Sequence, residues 1–512
     1  MSGILHGTVI VSFFNILGLI FRIFTVSTMA QFFGAGPELD AYFVGITLPT
    51  VVLGMISNAF ANTIIPVLSD QFSSIDEIEK TTIKLFQWSF IISFFFVLIF
   101  ILLAKTIIAW IAPGLHGDYF ELAITIFKIS SLGLLPALPL EVLTSFYILQ
   151  SKFFLTSFIK FIQPVVLLIG TVILSGRFGT MSLAFSQVLG IFLGLLILMS
   201  YYCRKKFRVF FIPLNLDPSI IKIGKLILPL FVGMLTYRTL PVFDRWVASQ
   251  MEAGKISLVN YAQKIMETFQ ILLFSGLSTA IFPSLAQNAS TGNIDSTNQI
   301  LEKAIRLSLF IYFPACFILY FSGDSLITLL LEHGKFSNLH GYETFKILKV
   351  YIYVLPALAI CAIIGQGYYI KKDTQTVAII GVVEALVYVS AAFLFRGAFG
   401  ILCLPLAYIC MFWFAVLIDG SILEKKHSFK LFCPIAKGIF ISFSSCSIAA
   451  LPWYIQYFVI VKHPLIYLDV ICLFFFTILY FFIHKNLFHS NEIYWFKNIS
   501  YTILSKLSRR IS

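Results

Sequence analysis

The sequence predicts an all-α polytopic membrane protein. It should have about fourteen transmembrane helices, in two six-helix lobes repeated in parallel plus two extra C-terminal helices. Three observations predict this: scarce charge, recurrent long apolar runs, and an internal echo. Of the 512 residues 59% are hydrophobic and 12% charged, with mean hydropathy +0.94, whereas soluble domains carry about 25% charged residues. WSFIISFFFVLIFILL (88–103) and VICLFFFTILYFFI (470–483) are centres of the runs of about 20 apolar residues that a hydrocarbon core of about 30 Å requires.

Polar and Gly/Pro breaks place the first eight spans at 6–32, 41–68, 84–111, 121–149, 154–175, 180–202, 222–249 and 257–285. The others fall at 303–331, 343–370, 374–395, 399–421, 432–457 and 464–484. Alternate loops differ in charge. One set holds Arg204, Lys205, Lys206, Arg208, Lys222 and Lys225; Lys371 and Lys372; Lys425, Lys426 and Lys430. It also includes the tail cations Lys485, Lys497, Lys506, Arg509 and Arg510. The opposite set holds little beyond Arg177, Lys255, Lys335, Arg396 and Lys462. Cytoplasmic loops carry the positive excess, so both termini are expected in the cytoplasm.

The net charge of +12 therefore encodes orientation, and nucleic acid is not expected as a partner. The eight cysteines form no CxxC pair and read as small apolar fillers. The histidines show no ligand spacing. The amino terminus lacks a basic n-region and a small-residue cleavage site, so the first span is expected to be retained.

Ala35–Ser69, AGPELDAYFVGITLPTVVLGMISNAFANTIIPVLS, is echoed by Ala253–Ala286, AGKISLVNYAQKIMETFQILLFSGLSTAIFPSLA. Both open with Ala-Gly, place a Tyr seven or eight residues on, and end in Pro-x-Leu. The offset corresponds to six spans, so the expected domains are 1–215 (spans 1–6), 216–430 (spans 7–12) and 431–512 (spans 13–14 and a tail).

Charge inside the spans then demands a reason. TYRTLPVFDRW (236–246) puts Arg238, Asp244 and Arg245 in span 7. The arginines are seven residues apart, which on a continuous helix is one face. Arg22 lies in span 1, and Lys264 with Glu267 in span 8. Intramembrane ionisable groups usually face a bundle interior or watery cavity. Arg22, Arg238, Arg245 and Lys264 are accordingly expected to line a cavity between lobes and to suit an anionic diphosphate, since Arg offers a planar fork for phosphate oxygens. Asp40, Asp244 and Glu267 are its acids. At the outer mouth of span 2, however, Asp40 reads first as an ordinary solvated loop acid. Glu141, Glu384 and Lys437 are single charges within spans.

These residues also carry a family likeness. FGAGPELDAYFVGITLP (33–49) with PVLSDQ (66–71) resembles the first-lobe signature of the MviN/MurJ family. DRWVASQMEAGKISLVNYAQKI (244–265), followed by FPSLAQ, resembles its second-lobe signature, and LLLEHGKF (329–336) and GYYIKKDTQT (367–376) resemble later stretches. The likeness covers roughly the first 420 residues. It implies a lipid II flippase of the multidrug/oligosaccharidyl-lipid/polysaccharide exporter superfamily, with alternating access and two extra helices forming a groove for the lipid tail. It also implies cavity arginines on helices 1, 2 and 8 holding pyrophosphate. Lys264 stands at the helix 8 position, and Arg22 near the helix 1 position. The helix 2 arginine pair is missing: TVVLGMIS (50–57) is uncharged. Phe14-Asn15 replaces the usual Ser-Arg, and Val377 a usual Pro.

The expected function is a flippase moving a polyprenyl-diphosphate-linked saccharide, lipid II first, across the bacterial cytoplasmic (inner) membrane. The alternatives are another lipid-linked oligosaccharide or a small-molecule/drug antiporter of the same superfamily. The likeness further implies no enzymatic activity, no cofactor beyond a coupling sodium ion at Asp244 and Glu384, lipids as partners, and a monomeric transporter.

Overall fold

A computed structural model describes residues 2–71, 75–206, 220–221, 223–227, 234–235, 238–290, 294–371, 373–456, 466–488 and 491–495. Of the residues used above for topology, Arg208, Lys222, Lys372, Lys462 and the tail cations from Lys497 on lie outside these, as do positions 228–233 and 236–237 of span 7.

The described chain is helical, and no strand occurs among the described residues. In order the helices are α1 (Ser2–Phe33), α2 (Pro37–Gln71), α3 (Ile75–Ile111), α4 (Asp118–Leu132), α5 (Leu134–Leu149), α6 (Phe153–Phe178) and α7 (Met181–Lys206). There follow α8 (Leu240–Ser249), α9 (Lys255–Ser290), α10 (Ile294–Leu330), α11 (Asn338–Tyr351), α12 (Leu355–Ile370) and α13 (Thr374–Phe399). The last are α14 (Cys403–His427), α15 (Phe432–Ala449), α16 (Leu451–Ile455) and α17 (Ile466–Asn486). Such lengths follow from the solvent: hydrocarbon offers backbone groups no partner, so each crossing must satisfy them within itself.

Eleven described stretches are long and apolar enough to cross a membrane. One, Gln375–His427, holds two helices joined by a 3-10 turn at Gly400–Leu402. Two of the fourteen expected spans have no counterpart among the eleven: span 7, described only in part, and span 8, whose side chains are described only to 274.

The chain forms two compact units, Met1–Asn260 with Leu331–His340, and Tyr261–Leu330 with Gly341–Ser512. The first unit therefore reaches beyond the expected boundary at 215. Its core joins α2, α3, α5 and α7 through Leu68, Phe86, Val142, Phe146 and Leu198, with Tyr202 Oη donating to Glu79 at 2.7 Å. In the second unit α15 and α17 pack on α10. Gly438 gives α15 its close approach, since a Cβ there would stand 2.7 Å from Leu309. Phe310 meets Tyr480 and His484 of α17 at 5.3 and 4.7 Å between ring centroids. Outside the membrane-spanning stretches, Asp373 caps α13 through Thr376, and Lys426 and His427 hold its carboxyl well below the usual carboxylate range.

The segment after α17 returns to α10. Arg306 Nε donates to Glu492 Oε1 at 2.6 Å and its Nη1 to Glu302 at 3.3 Å, while Trp495 lies 5.3 Å from the guanidinium. Both Arg306 and Glu492 are buried. Removing one partner of such a pair costs about 3–5 kcal/mol, because the other is left buried and charged, whereas a well-packed apolar pair is near neutral. Glu492→Ala should thus lower the melting temperature of the purified protein by several degrees, and Arg306→Met with Glu492→Met should restore most of it. Equal melting of Glu492→Ala and the unaltered chain would contradict the pairing.

Candidate functional site

The first unit concentrates its polar chemistry on α2. At the amino-terminal end of α2, Asp40 is only 3% exposed, so the solvated-loop reading of this acid is wrong. Its Oδ2 accepts from the Gly254 N–H at 2.5 Å, and Oδ1 accepts from the Ser257 N–H at 2.7 Å and from Ser257 Oγ at 2.5 Å. Asp40 therefore caps the start of α9 from another helix. It satisfies orphan N–H groups and sets a negative charge against the positive end of the helix dipole.

Arg245 of α8 is 5% exposed. Its Nη2 donates to Asn260 Oδ1 at 2.6 Å and its Nε to Thr47 Oγ1 at 3.2 Å, with the guanidinium 5.9 Å from the Phe43 ring. Asp40 and Arg245 thus bind α8 and the first turns of α9 to α2. That is why the first unit extends to Asn260.

Residues 331–340 join the same end through backbone contact. Lys335 N–H donates to the Gln31 carbonyl at 3.0 Å. Gly34, with φ of +66°, faces the Lys335 carbonyl so closely that a Cβ would stand 2.7 Å from its oxygen. Only glycine suits both the backbone and that approach.

The expected arginine face divides. Arg238 is itself helical, but a turn at Thr239 separates it from α8, which begins at Leu240. Arg238 is exposed while Arg245 is buried. Arg238 lies instead against α2, where a Cβ on Gly54 would be 3.5 Å from Nη1. Arg22 on α1 is also exposed. Asp244 is fully buried. Among the described residues, no carboxylate forms an ion pair with Arg22 or Arg238.

In the second unit, Lys264 pairs with Glu267 at 2.8 Å on the same face of α9, both about half exposed (49% and 48%). Glu384 of α13 is buried with its carboxyl in hydrogen-bonding reach of Asp419 on α14. Asp244 and Glu384 belong to different units, and among the described residues no group of three or more His, Cys, Asp or Glu could hold a metal ion. Hard cations want several oxygen ligands, and these two acids are the candidates the sequence offers.

The sequence matches the family description "Lipid II flippase MurJ" over residues 29–479. The chain belongs to this family. The probable lipid II flippase MurJ of Aquifex aeolicus (strain VF5) is 26% identical over 422 residues, covering 80% of this chain and 81% of the relative. That of Borreliella burgdorferi is 23% identical over 446 residues, covering 83% and 84%. In fold, the chain is similar to a solved lipid II flippase MurJ in an inward closed conformation, with TM-score 0.78, 21% identity, and coverage of 95% of this chain and 100% of that one. An inward-facing multidrug MATE transporter of the MOP superfamily follows at TM-score 0.67, 14% identity, and coverage of 80% and 96%.

For this MurJ family member, the cations and Asp40 were visible in the sequence, but Thr47, Gly54, Gly254, Ser257 and Asn260 were not. Their types are unremarkable in sequence, and only the fold supplies their partners.

Asp40→Ala would strand the buried Gly254 and Ser257 N–H groups, at about 1–3 kcal/mol for each unsatisfied donor. Asp40→Asn keeps a carbonyl acceptor and should destabilise less. Thermal unfolding of both purified variants tests the order, and an unshifted Asp40→Ala would remove the capping role.

Proposed function

We propose that this protein flips a polyprenyl-diphosphate-linked saccharide, lipid II, across the bacterial cytoplasmic membrane. The residue-level observation that carries the reading is Arg238, an exposed cation against a membrane-length helix, with no acid partner among the described residues. A diphosphate cannot enter a low-dielectric layer unless fixed charges replace its hydration. Arg238 and Arg22 are the cations proposed to do this. Lys264 of the second unit is a further candidate cation, a point charge moderated by Glu267. We assign Arg245 a structural part, because its donors already engage Thr47 and Asn260.

On this reading the protein makes and breaks no covalent bond and acts as a monomer. Both termini lie in the cytoplasm, where the positive loops belong. The end of the first unit clasped by Asp40 and Arg245 then faces outward, and opening it releases substrate there.

Arg238→Ala should abolish complementation of a strain depleted of its lipid II flippase, while membrane levels of the protein stay normal. Arg238→Lys should restore part of it, as a charge without the fork. Lys264→Arg should be tolerated. Full complementation by Arg238→Ala with Lys264→Ala would overturn the assignment. Labelling of a single cysteine placed within positions 203–225 from outside intact cells would overturn the orientation. Coupling to sodium through Asp244 is a separate proposal: transport should then depend on sodium and lose that dependence in Asp244→Asn. Sodium-independent transport by the unaltered chain removes it.

A further inference from the structure

About midway along its length, α2 turns an open polar face away from the core. Val51, Val52, Met55, Ile56 and Ala59 are buried, whereas Thr50, Gly54, Ser57 and Asn58 are half-buried, on the three- and four-residue spacing of one helix face. A polar face on a membrane-length helix marks a lining of protein or water, not of lipid. Gly54 stands in the middle of it. A glycine inside a helix weakens it and needs a reason.

Close packing of a second helix is the usual reason, and elsewhere in this chain it applies. A Cβ on Gly194 would meet Ile159 Cγ2 at 2.9 Å, and one on Gly438 would meet Leu309 at 2.7 Å. Gly54 differs. Among the described residues, and leaving aside the backbone of α2 itself, the one heavy atom within 4 Å of its Cβ position is Arg238 Nη1, at 3.5 Å. A guanidinium nitrogen thus stands at ordinary contact distance from where a Cβ would be, so a side chain longer than alanine at this position would meet it. Around it, Asn58 Nδ2 donates to the Gly54 carbonyl at 2.7 Å, and Ser57 Oγ donates to the Glu141 carboxylate. The nearby side-chain acceptor of Ser57 and the Gly54 carbonyl are thus already engaged. Among the described residues no acid forms an ion pair with the guanidinium there.

We propose that Gly54 is the seat of Arg238: its missing side chain lets the guanidinium lie flat on the polar face of α2, where it meets the diphosphate. Gly54 is then a positioning residue acting through Arg238, and the inference rests on the flippase reading above. A charge borne by a segment ahead of α8 is delivered to the middle of α2. An arginine placed on α2 at this point would bring a guanidinium to the same region by the shorter route.

The test uses the full-length chain in vesicles, with a polyprenyl diphosphate as the probe and inorganic pyrophosphate as competitor. Gly54→Leu should raise the apparent Kd at least tenfold, while Gly176→Leu, at an exposed glycine of α6 with open space about it, should not change it. Arg238→Ala should weaken binding similarly. The double variant Arg238→Ala with Gly54→Arg should regain most of that loss, a gain that simple damage to α2 cannot produce. Should Arg238→Ala weaken binding while Gly54→Leu does not, or the double variant regain nothing, the seat is wrong and the flippase reading stands. Unchanged binding by Arg238→Ala would sink the reading itself.

Discussion

A charged side chain inside a hydrocarbon layer persists only where donors, a counter-charge or water take the place of its hydration. This constraint divides the charges of the chain into two kinds. Asp40, Arg245, Arg306 and Glu492 are buried and held by named partners at hydrogen-bonding distance. Arg22 and Arg238 are exposed and make no ion pair among the described residues. The first kind makes its hydrogen bonds within the protein. The second kind holds the cations proposed above to meet the diphosphate.

The sequence made the fold class plain because bilayer thickness imposes a length on every crossing, and runs such as 88–103 leave no other reading. The membrane charges were conspicuous for the same reason: an ionisable group in an apolar run is rare. Their partners were hidden. Asp40 is joined to Gly254 and Ser257 across more than two hundred residues, and no local pattern signals a cap supplied from another helix. The error over Asp40 arose because a short polar stretch before an apolar run normally lies in water. The error over Arg238 and Arg245 was one of phase. Helical spacing applies only within an unbroken helix, and a turn at Thr239 interrupts the helix between Arg238 and Arg245.

The two arginines of that stretch therefore do different work from nearly adjacent positions. Arg245, five residues inside α8, is drawn toward Thr47 and Asn260 and ties three helices at one end of the first unit. Arg238, before the turn at Thr239, reaches α2 at Gly54. The turn at Thr239 separates a fastening from a binding group. Substituting one should not mimic substituting the other: loss of Arg245 strands buried acceptors, whereas loss of Arg238 removes a charge from an open face.

The same division bears on how tightly a transporter can hold its cargo. A site of several unopposed arginines would bind a diphosphate and keep it, since each charge-assisted bond adds about 1.5–3 kcal/mol. Here the cations are graded. Lys264 shares its charge with Glu267 at 2.8 Å, and Arg245 is already engaged. Glu141 sits on the polar face of α2 through Ser57, one turn from the Arg238 seat. Acids placed beside some of the cations lower the gain on binding and lower equally the cost of release. A flippase needs both, because the anion it receives at one leaflet must be surrendered at the other.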